Sequence, residues 1–411
     1  MQKILRRFFM TFNTLAREYV SLVLSLGKHH EYYIDAYYGP EELRSDTHIS
    51  LEDLLISFNS LIKKVDAFVI DEAQVRRKEF LYLHLLSART FLKMLQGKTH
   101  RFDEESKSLY DAVSPSIDED ILNTYLDELS LLLSSPVSLN TAMNEFMQDF
   151  IIPKDKLSLV FKAAMRESRL RCKEHINLAQ NENFEIRYVQ DQVWSAYNWY
   201  KGNNYSVIEL NTDFPMYISR ALDLACHEAY PGHHVFNSLM EKHLFNEKGF
   251  IEYSVYTLYS PLSLLAEGSA NYGIDLCFNE ESKRDFEVNV LFPLALIDKK
   301  KAALYYKVQE LVKKLSYAVN MIAQQYLDET ISEEKAIELL MKYNLSNKEK
   351  SIQRLAFIKA HRSYIINYNL GEDIVKDYIN KHCKNGSNKE KWAVFYDLLK
   401  NPKTASMMKK E

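Results

Sequence analysis

The chain has 411 residues but only 10 Gly and 9 Pro, well under the average shares of about 7% and 5%. Sandwiches, propellers and phosphate-loop enzymes need those residues at left-handed positions and tight corners, so the composition excludes them and favours long helices joined by few turns. Lys and Arg number 52 against 56 Asp and Glu, a formal charge of −4, which excludes wholesale binding to a nucleic-acid backbone. Hydrophobic residues make up 46% of the chain and Tyr alone contributes 27, ample for a large core.

Residues 1–27 carry basic side chains and an apolar patch at 20–26, too short to span a bilayer and followed by no small-residue cleavage site. They read as a first amphipathic helix. From there to about residue 180 the pattern is helical, with Leu81, His84, Leu85, Ala88 and Leu92 at helical spacing. Turns are expected at 35–40, at Ser114-Pro115, at Ser135-Pro136 and around Pro153. Phe184, Ile186 and Tyr188 then alternate with polar residues, and Tyr205, Val207 and Glu209 do so again after the turn at 201–204. This predicts one small antiparallel β element at about 184–210, the only β-structure expected. Thr212-Asp213 with Pro215 announces a return to helices. One long helical pattern runs from about 283 to 327, and a last short helix lies within the polar, basic stretch 384–411. The organisation expected is a helical N-terminal subdomain, 1–180, and a second subdomain, 181–411, joined in one body.

The chemistry concentrates in 223–234, Asp-Leu-Ala-Cys-His-Glu-Ala-Tyr-Pro-Gly-His-His. Ile218, Leu222, Ala225 and Ala229 form an apolar stripe, with His227 beside it. Zinc hydrolases place two His ligands four residues apart on a helix, with a Glu between them as general base. Here the fourth position after His227 is Pro231, and His233 and His234 would lie roughly 9–10.5 Å along a regular helix, too far for one ion. Pro231 collides with the carbonyl of His227 in a straight helix, and Gly232 tolerates unusual dihedrals. A bulge at Pro231-Gly232 is therefore expected to bring His233 back under His227. The plain alternative is a helix ending at Tyr230 with two solvent-facing histidines. Glu267 is the only charged residue from 253 to 274, in a helix opened by Ser260-Pro261. A buried carboxylate needs a partner, either a divalent cation, as in thermolysin-like hydrolases, or a core Arg or Lys.

The segment His227-Glu-Ala-Tyr-Pro-Gly-His-His234 resembles the HExxPGHH signature of the domain-of-unknown-function 885 family of gluzincin-type metallopeptidases. Glu267-Gly-Ser-Ala-Asn-Tyr272 is similar to that family's E-G-W-A-x-Y segment, with Ser269 in place of Trp. Tyr368-Asn-Leu-Gly371 and Asp35-Ala-Tyr-Tyr-Gly39-Pro40 resemble further family segments. The resemblance implies a multi-helical metallopeptidase-like body with a deep cleft and a single zinc ion. It makes His227, His233 and Glu267 the ligands, with His234 the rival for the second position, and Glu228 the general base. Tyr368 becomes the favoured oxyanion donor.

Around this centre, Asp223 and Asn271 are expected to support the metal ligands, and His361, Arg362, Tyr364 and Tyr272 to face the substrate. The expected activity is peptide-bond hydrolysis. A silent helical metal-binding scaffold and a hydrolase of a small non-peptide amide are the alternatives. The four cysteines are far apart in sequence and form no CxxC pair. They read as reduced thiols, hence a cytoplasmic protein with no nucleic-acid or membrane partner; the oligomeric state is left open.

Overall fold

A computed structural model describes residues 11–411, so residues 1–10 of the first expected helix lie outside the described part. The helices of the first half are α1 (Phe12–Gly27), α2 (Leu51–Ala67), α3 (Val75–Leu95), α4 (Phe102–Tyr110), α5 (Glu119–Leu133), α6 (Leu139–Gln148) and α7 (Leu157–Lys173). Each begins or ends where local chemistry dictates. Ser50, Asp118 and Ser138 accept backbone N–H groups at the starts of α2, α5 and α6. Asp111 and Ser134 close α4 and α5 in the left-handed region, a position more often given to glycine.

The second half carries α8 (Ile218–Leu224), α9 (His233–Met240), α10 (Pro261–Cys277), α11 (Glu280–Phe286), α12 (Phe292–Leu294), α13 (Ala302–Lys314), α14 (Ala318–Leu327), α15 (Glu333–Tyr343), α16 (Lys348–His361), α17 (Ile366–His382), α18 (Asn388–Lys400) and α19 (Ala405–Lys410). The fold is thus mainly helical. The helix expected over 283–327 is instead broken: a π turn spans Glu287–Leu291 and Leu296 takes a positive φ. The C-terminus holds two helices rather than one, because Met407 and Met408 supply a buried face that the polar composition obscures.

Strands β1 (Ile34–Tyr37), β2 (Asn183–Val189), β3 (Ala196–Tyr200), β4 (Tyr205–Asn211) and β5 (Val255–Thr257) complete the chain. The expected β element is the three-stranded sheet β2-β4-β3; β3 pairs antiparallel with β4, and β2 pairs parallel with it. A second sheet was not anticipated. The stretch at 35–40, read as a turn, begins as β1, which pairs antiparallel with β5. Its partner lies some two hundred residues away, so no local pattern announces it.

The hydrophobic core is continuous from Phe12 to Met408, and α10 runs through it with nearly every residue buried. Helix α17 crosses α10 at Gly268 and Gly371, where a Cβ on Gly268 would meet the Gly371 backbone at 2.2 Å. Backbones this close require glycine, and the crossing carries the start of α17 onto Glu267. A buried pair, Arg77 with Glu252 at 2.5 and 2.9 Å, ties α3 to the turn before β5. No described helix is long and apolar enough to cross a membrane.

Candidate metal centre

Helix α8 does not continue regularly. It passes into a π turn, Ala225–Ala229, in which the Tyr230 N–H donates to the carbonyl of Ala225, five residues back. The Tyr230–Pro231 bond is cis, and the Gly232 N–H donates to Cys226 O at 2.9 Å. A Cβ on Gly232 would lie 1.8 Å from the His227 carbonyl oxygen, so only glycine allows the chain to double back here. Helix α9 then starts at His233, whose Nε2 lies 3.1 Å from His227 Nε2.

Glu267 reaches the same point from α10. Its Oε2 is 3.1 Å from His227 Nε2 and its Oε1 is 3.7 Å from His233 Nε2. The donor atoms of these three residues all lie within 4.8 Å of one another, the single such cluster among the described residues. Two nitrogens bound tetrahedrally at about 2.05 Å would stand roughly 3.3 Å apart, close to the separation of the two imidazoles. The set therefore fits one divalent cation.

The surroundings fix two of the three side chains, His227 and Glu267. Asn271 donates through Nδ2 to Tyr368 O at 2.9 Å, which leaves its Oδ1 facing His227 Nδ1 at 2.8 Å. The proton of His227 is thereby held on Nδ1 and Nε2 is free to bind. Tyr364 donates its hydroxyl to Glu267 Oε1 at 2.6 Å. Burial alone would raise the Glu267 carboxyl, but His233, His227 and Tyr364 outweigh it and hold it below the usual range. Burial lowers His233 to about 4. Burial opposes protonation of His227 too, yet the hydrogen bond and charge of Glu267 raise it to about 9.

Glu228 follows His227 in the π turn and is 4% exposed. Burial raises its carboxyl to about 7, opposed by His227 and aided by Glu267 and Asp35. Its Oε2 has no hydrogen-bond partner among the described residues, whereas its backbone carbonyl accepts from Asn198 on the edge strand β3 at 2.7 Å. A buried carboxylate oxygen left free beside a cation site is equipped to exchange a proton.

The remaining expected residues divide. Tyr368 approaches the centre, its ring centroid 6.4 Å from that of His227. His361 packs on Phe357 and Tyr364 and faces the Tyr259 hydroxyl at 3.3 Å. Three corrections concern direction. Asp223 does not support His227; it pairs with Lys283 of α11 at 2.6 Å. Arg362 is taken by Glu105 at 2.7 Å, and Tyr272 packs against Phe395 of α18, on another side of α10 from Glu267. His234, the rival ligand, is 1% exposed and points away, to Ser206 at 2.8 Å and Glu182 at 3.3 Å.

Two features escaped the sequence reading. Glu182 gathers Arg169, Tyr230 and His234 behind the π turn. Asp35 on β1 accepts from the Tyr197 hydroxyl; burial raises it to about 7, with Tyr197 opposing and Glu267 adding to the rise. The signal for Asp35 was present in the 35–40 motif, but its role beside the centre depends on the pairing of β1 with β5.

No protein-family model matches the chain, and no curated protein is similar to it. Among solved structures it is similar to a "putative lipoprotein" from Colwellia psychrerythraea, with a TM-score of 0.55 and 15% identity over 89% of this chain and 67% of that one. It is also similar to a "putative lipoprotein of unknown function" from Shewanella oneidensis, with a TM-score of 0.50 and 12% identity over 98% of this chain and 88% of that one. At such identities the likeness extends to the fold.

Proposed function

We propose that this chain is a zinc-dependent peptidase of the gluzincin type that the HExxPGHH resemblance implies, with His227, His233 and Glu267 holding one zinc ion. The observation that carries the reading is the convergence of these three donors beside the unpartnered Oε2 of Glu228. When bound, zinc supplies a Lewis acid that lowers the pKa of water and polarises a carbonyl. Glu228 takes the proton of the attacking water on its free carboxylate oxygen and later delivers it to the departing amine. Asn271 fixes the His227 ring, and Tyr364 fixes Glu267. That contact already engages the Tyr364 hydroxyl, which leaves Tyr368 as the donor toward the developing oxyanion. The edge strand β3, held against Glu228 by Asn198, offers backbone groups to an extended peptide. Four free cysteines fit a reducing compartment, and we place the protein in the cytoplasm.

The test pairs metal analysis with turnover. Purified protein is expected to hold one zinc per chain and to cleave members of a mixed peptide library read by mass spectrometry. Glu228→Gln is expected to keep the zinc while losing about 10²-fold or more in rate. Protein that takes up no stoichiometric metal would sink the proposal. Retained zinc without any hydrolysis would favour a binding scaffold.

A further inference from the structure

The three-stranded sheet has two edges. Strand β3 is held against Glu228, and β2 forms the opposite edge. Along β2 the Asn183 N–H donates to Asn204 O at 3.0 Å, and Val189 O accepts from the Thr212 N–H at 2.9 Å. The odd-numbered residues thus turn their backbone groups toward β4. Alternation turns those of Phe184, Ile186 and Tyr188 to the outer edge. No described strand pairs with that edge, and an unpaired edge is a template for another chain.

The side chains of the same three residues form one wall of a groove of about 490 Å³, and α7 forms the other with Ser158, Lys162, Arg166 and Arg169. Helix and strand lie side by side in opposite directions. Arg169, late in α7, donates to Glu182 just before β2 at 2.6 Å, while Ser158 at the start of α7 shares the groove with Tyr188 near the end of β2. Burial raises the pKa of the Tyr188 hydroxyl, and Ser158 opposes the rise. The groove is separate from the metal centre, since Phe184 packs on Tyr230 and on His234, which points away from that centre.

No acid lines this groove. Arg169 and Arg171 of α7 pair with Glu182 and Glu167, but the exposed Lys162 and Arg166 make no ion pair among the described residues. These two cations stand one turn apart, about 6 Å along the helix. Alternate residues of a strand stand roughly 6.7 Å apart, so a strand laid along the groove can meet both.

We infer that β2 and α7 dock an extended, acidic segment of a partner protein. The segment adds to the sheet beyond β2 as a fourth strand, exchanging backbone hydrogen bonds with Phe184, Ile186 and Tyr188. Alternate glutamates lay their methylene stems over Ile186 and Tyr188 and set their carboxylates on Lys162 and Arg166. An aliphatic anion matches the wall and the cations but leaves the strand edge unpaired. The inference is independent of the peptidase reading.

The test uses a fluorescein-labelled octapeptide alternating Glu with Thr, its counterpart with Gln for Glu, and two acidic versions N-methylated at the Glu or at the Thr positions. Each is titrated into the full-length Glu228→Gln chain, which leaves it uncut, and read by fluorescence anisotropy. At low salt the acidic peptide is expected to bind about three- to tenfold more tightly than the Gln peptide, the worth of two exposed ion pairs. Added salt should shrink the difference, and Lys162→Glu with Arg166→Glu should abolish it without altering urea unfolding, because both side chains are exposed. One methylated peptide should lose about tenfold in affinity and the other little, since only alternate N–H groups face β2. Equal binding of the acidic and Gln peptides overturns the inference, as does a preference that survives the double substitution. Two methylated peptides that both bind like their parent overturn the strand addition. Laurate bound with no peptide bound overturns it too, and marks the groove as a site for an anionic amphiphile.

Discussion

Adjacent histidines, His233 and His234, acquire opposite tasks because helix α9 turns each successive side chain by about 100°. His233 faces His227 and Glu267, while His234 is sealed between Ser206 and Glu182. His233→Ala is therefore expected to abolish stoichiometric zinc binding. His234→Ala should retain the metal but lower unfolding stability on the order of 1–3 kcal/mol, since Glu182 loses a buried partner; metal analysis beside urea denaturation separates the two. A similar contrast holds for Asn271 and Asp223. Asn271→Ala is expected to weaken zinc about 10–100-fold, the usual cost of losing a partner to a ligating imidazole. Asp223→Ala should leave the affinity nearly unchanged, because Asp223 belongs to Lys283. Competition with a chromophoric chelator measures both.

At the scale of elements, the site depends on two places where chain segments approach too closely for any side chain. One is Gly232 in the loop after the π turn, the other the crossing of α10 with α17 at Gly268 and Gly371. The second position is the better probe, since it lies beside the proposed ligand Glu267 without being one. Gly268→Ala must push the helices apart and draw Tyr364 away from Glu267. The expected result is a loss of about 1–3 kcal/mol, the usual cost of overpacking a tight core, together with weaker zinc binding. Urea titration combined with chelator competition reads both effects, and a variant as stable as wild type would contradict the close approach. The Pro-Gly pair was legible as a distortion because Pro cannot continue the hydrogen-bond ladder past His227. That the distortion takes the form of a π turn was not, since the choice among bulges is set by packing against α7 and α10.

Across the whole molecule, the C-terminal segment is fastened back onto the first half. Thr404 and the Ser406 N–H donate to Asp111 Oδ2 at 2.9 and 2.8 Å, and Lys107 donates to Oδ1 at 2.8 Å. Burial alone would raise the Asp111 carboxyl, but these donors outweigh it and hold it below the usual range. The folded pKa thus lies below the unfolded value of about 3.9. The stabilisation is complete above that value and disappears as pH falls through the folded pKa. Asp111→Asn is expected to cost on the order of 1–3 kcal/mol at pH 7. The gap to wild type should narrow below about pH 4. Urea unfolding at pH 7 and pH 3 checks the sign.

The sequence by itself determined the helical body, the start of α10 at Pro261, a β element at about 184–210, though not the parallel pairing of β2 with β4, and the crowding of His227, Glu228 and His233 at a distorted helix. These follow from periodicity, turn residues and the chain's sparing use of Gly and Pro, all of which act over a few residues. Tertiary structure alone decided which way Asp223, Arg362 and Tyr272 point, that Asn271 rather than Asp223 holds the His227 ring, and that 34–37 is a strand. Each of these depends on a partner far along the chain: Lys283 for Asp223, Glu105 for Arg362, β5 for β1. Local pattern fixes the path of the backbone over a turn or two, whereas the partner of a buried polar side chain is chosen by whatever the whole fold brings within hydrogen-bond reach.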